Sequence, residues 1–317
     1  MIEVSSLTKR YGNFLAVDDV SFTVKRGEVV GFLGPNGAGK STIMNILTGY
    51  LSLTEGKVTV DGYDILEQPE QAKRRIGYLP EIPPLYTDMT VLEYLYFVCD
   101  LKKVTFPKQM HIEEIVKLVK ITEVQNRLIK TLSKGYRQRV GIAAALVGNP
   151  DILILDEPTV GLDPKQIIEI RDLIARLGKN HTIILSSHIL SEIQAVCERV
   201  IIINRGHLVA DDTPTELSKN LSKDHSVVVR VAGEKEDLTK ILSSVKDVKK
   251  VVCLGKKEEG TLDFVVTPET DRDIRRDISE RLAERKKALY ALSSNELSLE
   301  QVFMRLTYDA DIEEGKK

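Results

Sequence analysis

The chain has 317 residues, of which 42% are hydrophobic and 29% charged, with a formal net charge of −2. This is the composition of a water-soluble globular protein with room for two domains, and its near-neutral charge supplies no general pull toward nucleic acid or an anionic membrane. Cys99, Cys197 and Cys253 are far apart, with no C-x-x-C pair, which excludes a disulfide framework or a zinc site and fits a reducing compartment.

The N-terminal stretch MIEVSSLTKRYG lacks the basic-then-apolar pattern of a signal peptide. No apolar run approaches the roughly 20 residues of a membrane helix, so any membrane role is expected to come through a partner. The first informative run is GEVVGFLGPNGAGKSTIMNILTGYL, where a short apolar strand at Val29 to Leu33 passes through a glycine-rich turn into an amphipathic helix. Its centre, Gly34 to Thr42, matches G-x-x-x-x-G-K-[ST]. Glycines at these positions let the backbone bend so that N–H groups of Asn36, Gly37, Ala38 and Gly39 converge on phosphate. The helix beginning at Lys40, Ser41 and Thr42 adds its positive N-terminus. Lys40 is placed to reach the β- and γ-phosphates of a nucleotide, and the Ser41 hydroxyl to ligate magnesium.

IGYLPEIPPLYTDMT, Ile76 to Thr90, reads as a strand end breaking into a stiff loop, with Glu81 as an isolated carboxylate among three prolines. From about 84 to 146 apolar residues recur at helical spacing, as in VLEYLYFVCDL and IEEIVKLVKI, which implies a mostly helical subdomain inserted in the sheet domain. LSKGYRQR, Leu132 to Arg139, opens a helix. DILILDEP and HTIILSSH are further short, apolar, β-branched runs, the signature of parallel strands buried on both faces. Asp156, at the end of the first, is suited to hold magnesium directly or through water. Glu157 follows where a general base could take a proton from an attacking water.

A polar stretch from Asp211 to Ser226 marks a boundary. Beyond it VVVRVAG, EDLTKILSSV, VKKVVCL, TLDFVVTP, DRDIRRDISERLAER and ALYALSS alternate as strand, helix, strand, strand, helix and strand. That βαββαβ order is the ferredoxin-like arrangement. SLEQVFMRLT reads as a closing helix and the residues from 309 to 317 as a tail. The expected organisation is an α/β nucleotide-binding domain at 1–217 and a small α+β accessory domain at 226–308.

With the phosphate loop, LSKG and ILILDEP in this order and spacing, the region from Met1 to Leu217 resembles the ATP-binding subunits of ABC transporters. The resemblance implies the P-loop NTPase fold and two subunits sandwiching two ATP molecules head to tail with Mg2+. It also implies that Ser133 and the Gly135 N–H of one subunit close over the γ-phosphate held by the other. By the same resemblance Tyr11 stacks on adenine, His188 contacts the γ-phosphate and attacking water, and the loop carrying Asp163 crosses the dimer interface. Lys134 stands where a small residue is usual and Tyr136 where glutamine is usual. Glu81 stands in place of a glutamine that touches magnesium, and a carboxylate there can make the same contact without donating a hydrogen bond.

YLPE, VGLDP and the appended domain are most similar to bacterial exporter subunits of the gliding-motility, multidrug and sodium-extrusion types, which work with separate integral membrane permease chains. Both catalytic halves are present, so a homodimer suffices, a heterodimer with a paralogue being the other arrangement. The expected location is cytoplasmic, peripheral to the membrane, with no nucleic-acid partner. A DNA-repair or chromosome-maintenance ATPase would place a long coiled coil or zinc modules between phosphate loop and LSKG, and a translation factor would carry two nucleotide domains. The C-terminal domain is open among ligand site, dimer brace and packing.

Overall fold

A computed structural model describes residues 1–187, 189–221, 226–270, 272–294, 299–304 and 306–307. They form two compact units, one built from Met1–Pro214 and the described residues from Phe303 on, the other from Thr215 to Val302.

The first unit opens with β1 (Ile2–Tyr11) and β2 (Phe14–Val24), followed by β3 (Val29–Leu33), α1 (Lys40–Leu47), β4 (Glu55–Val60) and β5 (Tyr63–Asp64). Strands β2, β1, β4 and β5 pair in that order as an antiparallel sheet. Next come α2 (Pro69–Arg74), β6 (Ile76–Leu79), α3 (Val91–Leu101), α4 (Lys108–Leu118), α5 (Lys134–Leu146) and β7 (Ile152–Asp156). The run closes with α6 (Pro164–Leu177), β8 (Thr182–Ser186), α7 (Leu190–Val196), β9 (Arg199–Asn204) and β10 (His207–Asp212). The second sheet has the order β10–β9–β3–β8–β7–β6, parallel from β9 to β6 with β10 antiparallel at its edge.

Strands β3, β7 and β8 are buried at every residue, as continuous apolar runs inside a covered parallel sheet must be. One core joins the two sheets around α1: Ile43, Met44 and Leu47 pack among Val4, Phe22, Phe32, Ile154 and Ile184. The Phe22 and Phe32 rings meet at 5.6 Å, and full burial of such a side chain contributes about 1.5–3 kcal/mol. This core holds the N-terminus of α1 rigidly at the carboxyl edge of the parallel strands, the edge where open α/β sheets place their ligands.

Between β6 and β7 the chain is helical, as its periodicity predicts. Thr90 begins α3 with a capping box: its Oγ1 accepts the Glu93 N–H at 3.3 Å while Glu93 Oε2 accepts the Thr90 N–H at 2.8 Å. The proline loop is fastened to these helices. Tyr94 Oη donates to the Pro84 carbonyl at 3.2 Å, and α5 packs so closely that a Cβ on Gly141 would lie 3.0 Å from Pro83.

After α8 (Pro214–Leu221) the second unit runs β11 (Val227–Ala232), α9 (Lys235–Ser243), β12 (Val248–Gly255), β13 (Thr261–Pro268), α10 (Arg275–Glu284) and β14 (Leu289–Ser294), before α11 (Leu299–Met304). The antiparallel order β12–β13–β11–β14 is that of a ferredoxin-like sheet. Val229, Val231 and Phe264 meet Leu238 and Leu242 of α9 and Ile278 and Leu282 of α10 in its core. On the opposite face Arg230 grips Asp263 with Nε–Oδ1 at 2.7 Å and Nη2–Oδ2 at 3.0 Å, which lowers the Asp263 pKa. Residues 309–317, expected as a tail, lie outside the described residues. Cys99 and Cys197 are buried free thiols and Cys253 is half-buried.

Candidate nucleotide site

A cavity of about 820 Å³ opens at the N-terminus of α1. Its floor is the glycine-rich turn, with Asn36, Gly37, Gly39, Lys40, Ser41 and Thr42 on the wall. Ala38 belongs to the same turn but is 3% exposed and packs into the core beneath. Gly39 caps α1 at φ 105°, and a Cβ there would lie 2.7 Å from the Ala16 carbonyl oxygen. No side chain fits that approach, so the first turn of α1 presents its N–H groups bare.

Lys40 is 8% exposed. Its Nζ donates to the carbonyls of Gly34 at 2.6 Å and Pro35 at 3.1 Å. Burial lowers its pKa, while the negative charges of Glu157 and Asp156 oppose that shift. A cation held only on the turn's own carbonyls, near two carboxylates, has bonds that a phosphate can replace.

Asp156 and Glu157 stand at the end of β7, where Asp156 is in register with Ser186 of β8. Ser186 Oγ donates to Asp156 Oδ1 at 2.5 Å and accepts the Glu157 N–H at 2.9 Å. One hydroxyl thus fixes both acidic residues. Glu157 has φ 49°, a left-handed backbone that a residue with a Cβ adopts only at a cost of about 1–3 kcal/mol. Glu157 is among the residues that line the cavity. Asp156 is 6% exposed. Burial raises its pKa; the Ser186 bond lowers it, the charge of Glu81 raises it, and Lys40 lowers it.

Glu81 and Tyr11 also line this cavity, although both are far away in sequence. Tyr11 is 43% exposed, with Lys9 Nζ 5.2 Å from its ring centroid. Beside it stands Phe14, 65% exposed; neither Phe14 nor the half-buried Val160 and Phe303 on the same wall carried any sequence signal. An exposed aromatic just past a two-residue turn could have been suspected as a stacking surface.

Ser133, Gly135 and Asp163 do not line the cavity. Ser133 caps α5, with Oγ 3.5 Å from the Tyr136 nitrogen. Gly135 is buried under Gln166, whose amide a Cβ at Gly135 would meet at 2.6 Å. Asp163 caps α6 with Oδ1 accepting the Gln166 N–H at 2.9 Å. The N-termini of α5 and α6 are therefore adjacent, and Tyr136 is tied aside by a hydrogen bond from its hydroxyl to Glu123. His188 lies outside the described residues.

Among the described residues no group of three His, Cys, Asp or Glu side chains could hold a metal ion alone. Ser41, Asp156 and Glu81 nevertheless offer oxygen donors only, and all three line the cavity. That set suits Mg2+, which takes one or two carboxylates and completes its shell with water and substrate phosphate. The repulsion of Asp156 by Glu81 is of the kind a divalent cation offsets.

The sequence profile of the ABC transporter family matches residues 17–160. The linearmycin resistance ATP-binding protein LnrL of Bacillus subtilis is 32% identical over 309 residues, covering 97% of this chain and 98% of that protein. The bacitracin transport ATP-binding protein BcrA of Bacillus licheniformis is 40% identical over 225 residues, 70% of this chain and 73% of its own. Among solved structures, a dimeric bacterial ABC transporter cassette superposes with TM-score 0.62 at 29% identity, covering 67% of this chain and 98% of that one. A post-hydrolysis state of that cassette, dimeric and bound to ADP and Pi, matches with TM-score 0.62 at 28% identity over the same shares.

Proposed function

We propose, for a chain that belongs to the ABC transporter ATP-binding family, that Glu157 is the general base of an ATP hydrolysis carried out in the cavity at α1. The observation that carries this is the left-handed Glu157 backbone, braced by Ser186 and turned onto the cavity wall that holds the phosphate turn. The chain is a transporter ATPase subunit, and nucleotide is its substrate.

In the proposed reaction Asn36 to Thr42 cradle the phosphates and Tyr11 stacks on the base. Lys40 leaves its carbonyl partners for the β- and γ-phosphates. Ser41, Asp156 and Glu81 would hold Mg2+, which when bound withdraws charge from the phosphates. Glu157 takes a proton from the attacking water, and His188 stands as the γ-phosphate contact.

Ser133, Gly135 and Asp163 sit together away from their own chain's cavity, which supports a head-to-tail pair in which they complete the partner's site. The dimeric cassettes matched above support the same reading. A homodimer would have two competent sites. No helix among the described residues is long and apolar enough to cross a membrane, so the reading includes a separate permease and a cytoplasmic, membrane-peripheral location. Ile82, 83% exposed, and Tyr86, 55% exposed, on the stiff proline loop are the apolar surface we assign to the permease contact. The names of the resistance and transport relatives favour export; nothing favours a role on DNA or the ribosome.

Glu157→Gln is the test. Hydrolysis should slow by roughly 10²–10⁴-fold with ATP binding spared, and an ATP-bound dimer should accumulate on size exclusion. Near-normal turnover would remove Glu157 from the chemistry.

A further inference from the structure

The turn after β8 and the loop after β7 are joined by a buried carboxylate. Glu192, in the first turn of α7, is 3% exposed. Its Oε2 accepts hydrogen bonds from Thr159 Oγ1 at 2.5 Å and from Ser187 Oγ at 3.0 Å. Thr159 lies two residues past Glu157, and Ser187 directly precedes His188. Ser187 Oγ also accepts the Ile189 N–H at 3.0 Å. The second oxygen of Glu192, Oε1, is buried with no hydrogen-bond partner among the described residues.

A carboxylate in this place is expensive as packing. Burying it with two neutral hydroxyls and one bare oxygen costs far more than an apolar side chain of similar volume would. Its position is also fixed from behind. The next residue, Ile193, presses on β3 so tightly that a Cβ on Gly31 would meet its Cγ2 at 2.5 Å. Glu192 is thus a rigid strut anchored on the parallel sheet, with one end on each loop. Ser186 already ties the two strand ends at Asp156 and the Glu157 N–H. Glu192 ties the same two segments a second time, farther out, on the far side of the strained residue.

We propose that Glu192 is a positioning residue for hydrolysis: through Thr159 and Ser187 it holds the 157–163 loop against the end of β8, so that Glu157 is aimed at the attacking water. This rests on Glu157 being the general base. The strut acts on the aim of one carboxylate and leaves the phosphate turn alone, so it governs turnover and not nucleotide affinity.

The experiment compares Glu192→Ala, Glu192→Gln, Thr159→Val, Glu157→Gln and the double variant Glu192→Ala/Glu157→Gln in the full chain. Steady-state hydrolysis of Mg-ATP is measured with equilibrium binding of a fluorescent ATP analogue. Loss of a positioning bond of this kind is expected to lower kcat about 10–100-fold in Glu192→Ala, with analogue affinity within about 2-fold. Glu192→Gln, which keeps an acceptor for the hydroxyls, should recover most of the rate. Thr159→Val should lose rate in the same direction. In the Glu157→Gln background Glu192→Ala should cost nothing further, because the residue it aims is already disabled. Glu192→Ala turning over normally while Glu157→Gln is inactive would overturn the strut alone. So would losses that multiply in the double variant, or parallel loss of turnover, affinity and folded fraction in Glu192→Ala and Thr159→Val. Normal turnover of Glu157→Gln would instead overturn the reading beneath it.

Discussion

Glu81 and Asp156, 75 positions apart, face one cavity, and the Glu81 charge adds to burial in holding the Asp156 carboxyl above its ordinary pKa. Ser186 and Lys40 pull the other way without cancelling the shift. The proline loop is therefore wired electrostatically to the end of β7, and its three prolines keep the wire short by fixing the backbone between Leu79 and the helices.

That relationship makes Glu81→Gln informative without nucleotide. A carboxyl with a raised folded pKa binds its proton more tightly folded than unfolded. Stability is then lost as pH rises from the ordinary carboxylate value through the raised one, and is level above it. Removing the Glu81 charge should shrink this loss. The nucleotide-free variant should gain stability at pH 7 relative to pH 4 in denaturant titrations, by less than about 1 kcal/mol because Glu81 is exposed and screened. With ATP, the variant should need more Mg2+ for half-maximal hydrolysis; an unchanged Mg2+ dependence would count against a metal role for Glu81.

Ser186→Ala tests the brace on the acidic pair. It strips a donor from buried Asp156 and an acceptor from the strained Glu157 N–H. A buried polar group left without its partner costs about 1–3 kcal/mol, to be read from urea unfolding. The Asp156 pKa should rise further, since the Ser186 bond is the larger of the two influences that lower it, the other being Lys40, and hydrolysis should fall with it. Wild-type stability together with wild-type turnover would contradict the brace.

Lys102 supplies a separate pH signature in the helical segment. Its Nζ donates to the carbonyls of Ala144 at 3.2 Å, Ala145 at 3.1 Å and Val147 at 2.7 Å, capping the C-terminus of α5. The residue as a whole is exposed, yet its ammonium sits on three carbonyls at the helix end, and burial there pulls its pKa from 10.5 down to about 8. Between those values the unfolded chain binds more protons, so stability should rise with pH across that window. Lys102→Met should flatten this rise and, through loss of the cap, cost about 1 kcal/mol at pH 7. A variant that keeps the wild-type pH slope would show that another group sets it.

Much of the fold was legible because much of it is local. Val29–Leu33, Ile152–Asp156 and Thr182–Ser186 read as buried parallel strands from their unbroken apolar runs. The alternation beyond residue 226 likewise announced the ferredoxin-like order. The N-terminal antiparallel sheet carried no such signal. β1 is broken by register shifts between Val4 and Leu7 and again near Lys9, with Ser6 at φ 47°, so its alternation of buried and exposed residues slips midway.

By itself the sequence determined the glycine-rich turn, because its strand–turn–helix geometry is encoded within the nine residues from Gly34 to Thr42 and needs only the strand before and the helix after. It likewise determined which carboxylates end β7. Tertiary structure alone decided what faces them. Glu81 reaches the cavity, and Ser186 reaches Asp156, because β3, β8, β7 and β6 lie side by side in an order unrelated to their order in the chain, while Tyr11 joins them from the end of β1 in the other sheet. Glu192 had no legible role at all, since a buried glutamate is an unremarkable helix residue until the sheet brings Thr159 and Ser187 to the same oxygen atom.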